Sequence, residues 1–338
     1  MGLDSMTKRI LFRADAKPSI GTGDLVSLIH LSRYFEKSGW ETHFIVRSHD
    51  AAAGIIKARK IRNCLMINDN LSIGMEIEEI NNYISSRKID VVFFEITERP
   101  LTEYKGITDK AVKACINFDG LIPDDMSLVV CWDVNADKLF DRKRYPKTKF
   151  LLGPRYAILP HDFNFAKIYS RSYKSKPEVL LVSMGGADEL NFTQQIVDAL
   201  IKKKTVLKLN VIVGWGYRHI KRLNESLGGS GVEYEIEQNL TNMFDEFMNC
   251  DVAVSAGGLT SFELVATRTP SVLIAIHEHQ IGRCEYFDKM GWGKYLGFGS
   301  FDEEALLDGI LNPVTHLPKA VFKTEEIRDH IDGLFQRH

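Results

Sequence analysis

The sequence is 338 residues long, 44% apolar and 26% charged, with a formal net charge of -2; this is enough chain for two medium domains with separate cores. The charge balance leaves no surplus to neutralise a nucleic-acid backbone, so nucleic acid is not expected as a partner. No run reaches the ~20 apolar residues of a membrane-spanning helix, residues 1–9 lack an apolar signal core, and Cys64, Cys115, Cys131, Cys250 and Cys284 have no metal-ligand spacing, so a cytoplasmic protein with reduced thiols, no metal and no cofactor is expected.

Short runs rich in Val, Ile and Phe alternate with longer amphipathic stretches, the pattern of parallel strands joined by covering helices. In the first half, strands are expected at residues 9–13, 42–46, 90–95, 114–118 and 128–132, with helices near 24–37, 49–59 and 77–87. Leu25, Leu28, Ile29 and Phe35 share one face of the first helix, which should lie on a sheet, whereas His30 falls on the polar side and is expected at the surface. Residues 160–176 are polar and aromatic without a period and mark a boundary. A second series follows, with strands at 178–182, 208–213, 232–236, 251–255, 271–276 and 294–296, and helices at 191–203, 217–226, 243–249, 261–266 and 279–290. The expected architecture is α/β, two doubly wound Rossmann-like domains at residues 6–165 and 175–338, facing across a cleft lined by loops at the carboxyl ends of the strands. A last amphipathic helix over 325–335 has no assignable docking partner.

The strongest local signal runs from Asp251 to Glu263. A buried strand enters Gly257 and Gly258 and then a helix start, which directs backbone N–H groups and the positive end of a helix dipole at one point and suits a phosphate. Thr260 and Ser261 can add hydroxyl donors, and Glu263 can accept two hydrogen bonds from a ribose. Thr260-x-x-Glu263 also fits a capping box that does no more than start a helix. Two further glycine turns, Gly185-Gly186-Ala187-Asp188 and Gly21-Thr22-Gly23-Asp24, follow the first strand of each domain. Neither has the G-x-G-x-x-G spacing of a dinucleotide site or the Lys of a P-loop, but together they place close-approach backbone at the start of both domains. His277-Glu278-His279-Gln280 opens a helix after a buried strand, and its spacing is not the H-E-x-x-H of a zinc site.

Four segments resemble the UDP-2,4-diacetamido-2,4,6-trideoxy-altropyranose hydrolases of pseudaminic acid biosynthesis, relatives of the peptidoglycan N-acetylglucosaminyltransferase with the GT-B fold. They are Arg13-x-Asp15 with Gly21-Thr22-Gly23, the run from Leu151 to Leu159 (the most specific), Gly185-Gly186-Ala187-Asp188 with Asn191, and Gly257-Gly258-x-Thr260-Ser261-x-Glu263. The resemblance implies a GT-B fold and a small-molecule UDP-sugar, hydrolysed with release of UDP in surface-glycan or nonulosonic acid biosynthesis. It implies that Gly257, Gly258, Leu259, Thr260, Ser261 and Glu263 hold the pyrophosphate and ribose with Gly185 and Gly186 nearby. Residues 214–217 and 235–240 would then flank the uracil, and His277 and Gln280 would touch nucleotide or sugar. Arg13, Gly21, Thr22 and Gly23 would lie on the sugar side.

The first loop departs from the family pattern G-x-G-H-x-x-R, whose His is the proposed catalytic residue: Asp24 and Ser27 stand at those positions. A carboxylate can also accept a proton from water, although it titrates lower than imidazole unless buried. Asp24 is therefore the candidate base and Asp15 the second, with helix capping as the alternative for Asp24. A GT-B glycosyltransferase using the same UDP-sugar donor, and a binder without turnover, are the rival functions.

Overall fold

In the computed structural model, which describes residues 7–17, 19–163, 171–205 and 207–335, the apolar runs of the first half become seven strands. These are β1 (Arg9–Ala14), β2 (Glu41–Arg47), β3 (Cys64–Ile67), β4 (Val91–Glu95), β5 (Val112–Ile116), β6 (Leu128–Cys131) and β7 (Lys149–Leu152). The helices beside them are α1 (Gly23–Lys37), α2 (Asp50–Ala58), α3 (Ile73–Arg87) and the short α4 (Ala136–Leu139). All neighbouring strands are parallel, in the order β3-β2-β1-β4-β5-β6-β7. Both faces of this sheet are covered, which is why its strands read as continuous apolar runs. On one face Phe12 stacks on Phe44 at 5.2 Å and meets Phe35 of α1 at 6.0 Å; on the other Leu11 packs among Ile45, Ile80 and Ile84.

The second half repeats the plan. Its strands are β8 (Val179–Ser183), β9 (Lys208–Val213), β10 (Tyr234–Gln238), β11 (Val252–Ala256), β12 (Ser271–Ala275) and β13 (Lys294–Phe298). They form one parallel sheet in the order β10-β9-β8-β11-β12-β13. The helices are α5 (Phe192–Lys202), α6 (Ile220–Gly228), α7 (Phe244–Asn249), α8 (Leu259–Thr267), α9 (Glu278–Lys289) and α10 (Glu303–Leu311). Strand order reverses between β1 and β4 in one sheet and between β8 and β11 in the other, so each domain has a switch point where the following loops diverge.

Two expectations are corrected by the packing. The second domain does not extend to residue 338: the chain divides into Met1–His161 with Phe322–His338, and Asp162–Val321. The final helix, α11 (Thr324–Leu334), completes the first unit, where Ile327 and Ile331 are buried and Trp40 Nε1 donates to Asp332 Oδ1 at 2.8 Å. Its entry is fixed by Lys323 N–H donating to the Arg155 carbonyl (2.7 Å) and Thr324 Oγ1 to that of Ala157 (2.9 Å). His30 is buried rather than at the surface, and burial, with Arg59 and Arg33 nearby, pushes its pKa down to about 3. The strands β3 and β7 and the helix α10 lie outside the expected elements; β3 and β7 are four residues each, too short for a period to register.

Candidate active site

At the switch point of the N-terminal sheet, β1 leads through Arg13 and Ala14 into Asp15. Arg13 is fully enclosed, and its guanidinium donates to both oxygens of Asp15 (2.7 and 2.8 Å) and from Nε to Glu76 Oε1 on α3 (2.8 Å). Arg47, at the end of β2, reaches Glu76 with its own guanidinium and Asp15 Oδ1 with its backbone N–H (2.8 Å), while the Tyr104 hydroxyl donates to Glu76 (2.8 Å). Burial works to raise the Glu76 carboxyl, but Arg13, Arg47 and Tyr104 outweigh it and hold the group below the ordinary range. Two arginines thus face two carboxylates, each carboxylate accepting several hydrogen bonds, while the buried Arg47 Nε has no hydrogen-bond partner among the described residues. The expected substrate role of Arg13 and proton-acceptor role of Asp15 do not fit this geometry. Both groups face each other, not solvent, and form a platform under the loop.

Asp24 is placed differently. The N-cap of α1 is Thr22, which makes no side-chain cap bond, so Asp24 stands inside the first turn and is not the cap. Its Oδ2 accepts from Thr97 Oγ1 at 2.8 Å, in the loop after β4. Burial pushes its pKa up to about 6 against the opposing pull of the Thr97 bond, and the charge of Asp15 acts in the same direction as burial. Beside it, added side chains at Gly21 and Gly23 would meet nothing within 4 Å, so the turn presents open backbone next to a basic carboxylate. Glu95, not among the expected site residues, closes β4 against Ser27; burial raises its pKa well above the ordinary value, and the charge of Asp24 adds to this. The signal for it was a carboxylate at the end of a strand otherwise made of Val and Phe.

In the C-terminal unit, β11 runs into Gly257 and Gly258. A Cβ on Gly257 would lie 2.5 Å from Cys284 Sγ and 2.9 Å from Gln280 Cβ, so glycine is what lets α9 approach. Gly258 is the N-cap of α8; no side chain caps the helix and no acid occupies its first turn. Because the helix begins at Leu259, Thr260 already lies within it and the Thr260-x-x-Glu263 capping box does not form. Ser261 Oγ donates to the Gly258 carbonyl at 2.6 Å, so its hydroxyl stabilises the turn instead of offering a donor to a ligand. Glu263 is buried one turn into the helix. What remains at the surface of the turn is the start of α8 itself, with Leu259 and Thr260 half-buried, a ready anion site.

Beside it, β8 runs into Gly185, at φ +93°, and Gly186. Asp188 accepts from the N–H groups of Phe192 and Thr193, both at 2.8 Å, and thereby fills the N-terminus of α5 with a carboxylate. Of the two helix starts at this switch point, α8 is the one left without a side-chain cap. The Gly186 carbonyl accepts from Gly216 N–H at 2.8 Å, and a Cβ on Gly214 would stand 2.4 Å from that carbonyl; the loop is packed on the glycine turn with the Trp215 ring 44% exposed. His277 is the exposed N-cap of α9, its ring stacked on His279 at 5.5 Å. Gln280 is buried, and its Oε1 accepts from Ile276 N–H at 3.0 Å. Among the described residues no group of His, Cys, Asp or Glu is arranged to hold a metal ion, and no helix is long and apolar enough to cross a membrane.

No family model matches the chain. It is 27% identical over 159 residues to an uncharacterized protein of Methanocaldococcus jannaschii, covering 46% of this chain and 32% of that protein, so the chain spans about a third of that relative's length. It is 22% identical over 263 residues to the spore coat polysaccharide biosynthesis protein SpsG of Bacillus subtilis, 76% of each chain. To the UDP-N-acetylglucosamine–N-acetylmuramyl-(pentapeptide) pyrophosphoryl-undecaprenol N-acetylglucosamine transferase of Thiobacillus denitrificans it is 28% identical over 154 residues, 44% of this chain and 42% of that one. Among solved structures, S. aureus MnaA with UDP matches with a TM-score of 0.64 at 12% identity, covering 98% of this chain and 97% of that one. Acinetobacter baumannii MurG matches with a TM-score of 0.61 at 13% identity, covering 98% and 100%. The fold is therefore of GT-B type, two Rossmann-like domains, each built on one parallel sheet.

Proposed function

We propose that this protein processes a nucleotide sugar, hydrolysing a UDP-activated amino or deoxy sugar and releasing UDP, in the cytoplasm, within surface-glycan or nonulosonic acid biosynthesis. The observation that carries the reading is the uncapped, glycine-started N-terminus of α8 at the switch point of the C-terminal sheet, whose backbone N–H groups and positive dipole end suit a pyrophosphate. Relatives named for UDP-N-acetylglucosamine transfer and polysaccharide biosynthesis support UDP as the nucleotide. In this reading Gly258, Leu259 and Thr260 hold the pyrophosphate from the backbone, with Gly257, Gly185 and Gly186 shaping the turn. Glu263 accepts from the ribose, Gln280 and His277 contact nucleotide or sugar, and Trp215 flanks the base. Gly21, Thr22 and Gly23 lie along the sugar. Asp24 takes a proton from water as the water oxygen bonds to the anomeric carbon, and the electron pair of the breaking C–O bond leaves on the β-phosphate oxygen of UDP.

The transferase relative favours a second reading, in which an acceptor hydroxyl replaces water and Asp24 keeps its role. Incubation with a panel of UDP-sugars, with and without candidate acceptors, decides between them. UDP release in water alone supports hydrolysis, release only with an acceptor supports transfer, and binding without turnover in every mixture refutes both.

A further inference from the structure

Glu95 ends β4 in register with Ala14 of β1 and is 3% exposed. Among the described residues no cation pairs with it. Its partner is Ser27 on α1, whose Oγ lies within reach of two oxygens at once, the Asp24 carbonyl at 3.0 Å and a Glu95 carboxyl oxygen. A hydroxyl has one hydrogen to give. If Ser27 gives it to Glu95, the bond to Asp24 is lost. If it gives it to Asp24, the contact with Glu95 needs a hydrogen from the other side. Both contacts are satisfied together when Glu95 carries a proton and donates it to Ser27, while Ser27 donates to the Asp24 carbonyl. Burial without a cation favours the same state, since an isolated carboxylate removed from water takes up a proton instead of remaining charged.

The surrounding groups agree. On α1 the charge that reaches Glu95 is that of Asp24, which opposes a second negative charge. From β1 comes Asp15, already paired with Arg13. The loop after β4 contributes Thr97, bound to Asp24, and Glu98, bound to Lys17. After β5, Asn117 is occupied with the Leu121 carbonyl and the N–H groups of Asp119 and Gly120.

We propose that Glu95 works as a neutral carboxylic acid, a positioning residue that donates its proton to Ser27 and so holds the first turn of α1, with Asp24 on it, in place for the reaction. Its ionisation then sets the alkaline limit of activity. The functional half of this inference rests on Asp24 being the base; the charge state of Glu95 does not.

The test uses the full chain as wild type, Glu95→Gln, Ser27→Ala and Asp24→Asn. Infrared spectra at neutral pH are expected to contain the carbonyl stretch of a protonated carboxyl that Glu95→Gln removes and Ser27→Ala shifts. An acid whose folded pKa is raised loses folded-state stability as pH climbs from the ordinary carboxylate range toward the raised value. The melting temperature of Glu95→Gln should therefore gain on wild type across that window. In UDP release, Glu95→Gln should keep its turnover at neutral pH and lose the alkaline limb of the profile. No such stretch at neutral pH, or a Glu95→Gln turnover as low as that of Asp24→Asn, overturns the proposal. A Glu95→Gln chain that fails to fold also counts against it, because the amide keeps the acid's shape and its donor. Should no UDP-sugar be turned over by any variant, the positioning role falls with the hydrolase reading, while the spectra and melting curves still decide whether Glu95 is neutral.

Discussion

At the scale of single residues, environment separates three carboxylates that lie close together in the chain's fold. Asp15 is locked by arginine, Glu95 is buried without a cation, and burial carries Asp24 to a pKa of about 6. A base is most useful when its pKa lies near working pH, so turnover should fall as pH drops through about 6 and Asp24 protonates. The same shift costs stability as Asp24 ionises, so the chain loses stability as pH climbs from the ordinary carboxylate range through about 6. Asp24→Asn keeps shape and hydrogen bonding, and should lower single-turnover UDP release by roughly 10²–10⁴ with UDP affinity unchanged; wild-type turnover in this variant would remove Asp24 from the mechanism. For Glu263, the capping role is closed because Gly258 caps the helix. Glu263→Ala should then weaken UDP binding by about 1.5–3 kcal/mol in calorimetry. An unchanged affinity with a clear fall in melting temperature would make Glu263 a structural residue.

At the scale of elements, the two glycines before α8 have separable jobs. Gly258 has φ -83°, which any residue adopts, and a Cβ there meets nothing within 4 Å. Gly258→Ala should fold normally yet bind UDP at least several-fold more weakly, since the added methyl occupies the space a phosphate needs. Gly257→Ala forces Cys284 and Gln280 of α9 away from the turn, and should cost about 1–3 kcal/mol of stability in thermal melts. A Gly258→Ala chain with full UDP affinity would sink the phosphate site. Most strands and helices are legible in the sequence because buried parallel strands are apolar runs and their covering helices carry a 3.6-residue period. The glycine turn between β11 and α8 was legible too, but whether α8 starts at Leu259 or after a Thr260 cap was not, as the same residues satisfy both patterns. Arg13 and Asp15 misled because a motif marks position and not exposure: Glu76, which with Asp15 encloses the Arg13 guanidinium, is 63 residues from Arg13. Glu95 was hidden for a similar reason, with Ser27 68 residues away. Two residues near the start of α1, Asp24 and Ser27, act on Glu95.

At the scale of the whole molecule, α11 is a structural part of the N-terminal domain. Ile331 is buried there, and the Trp40 ring meets Phe335 edge-on at 5.6 Å. Ile331→Ala should cost about 2–5 kcal/mol, read as lost amide-exchange protection in β1, β2 and α1, with β8 to β13 unchanged. Loss of protection spread equally over both sheets would show that the two units unfold as one. The return of the chain also fixes an order of events during synthesis. About 160 residues are translated after His161 before the closing helix is made. At about 5–20 residues per second, the first domain waits on the ribosome for roughly 10–30 s with the Trp40 indole uncovered and its last helix missing. The domain that begins first is thus finished last, and an unfinished apolar seat is what a nascent-chain chaperone would meet.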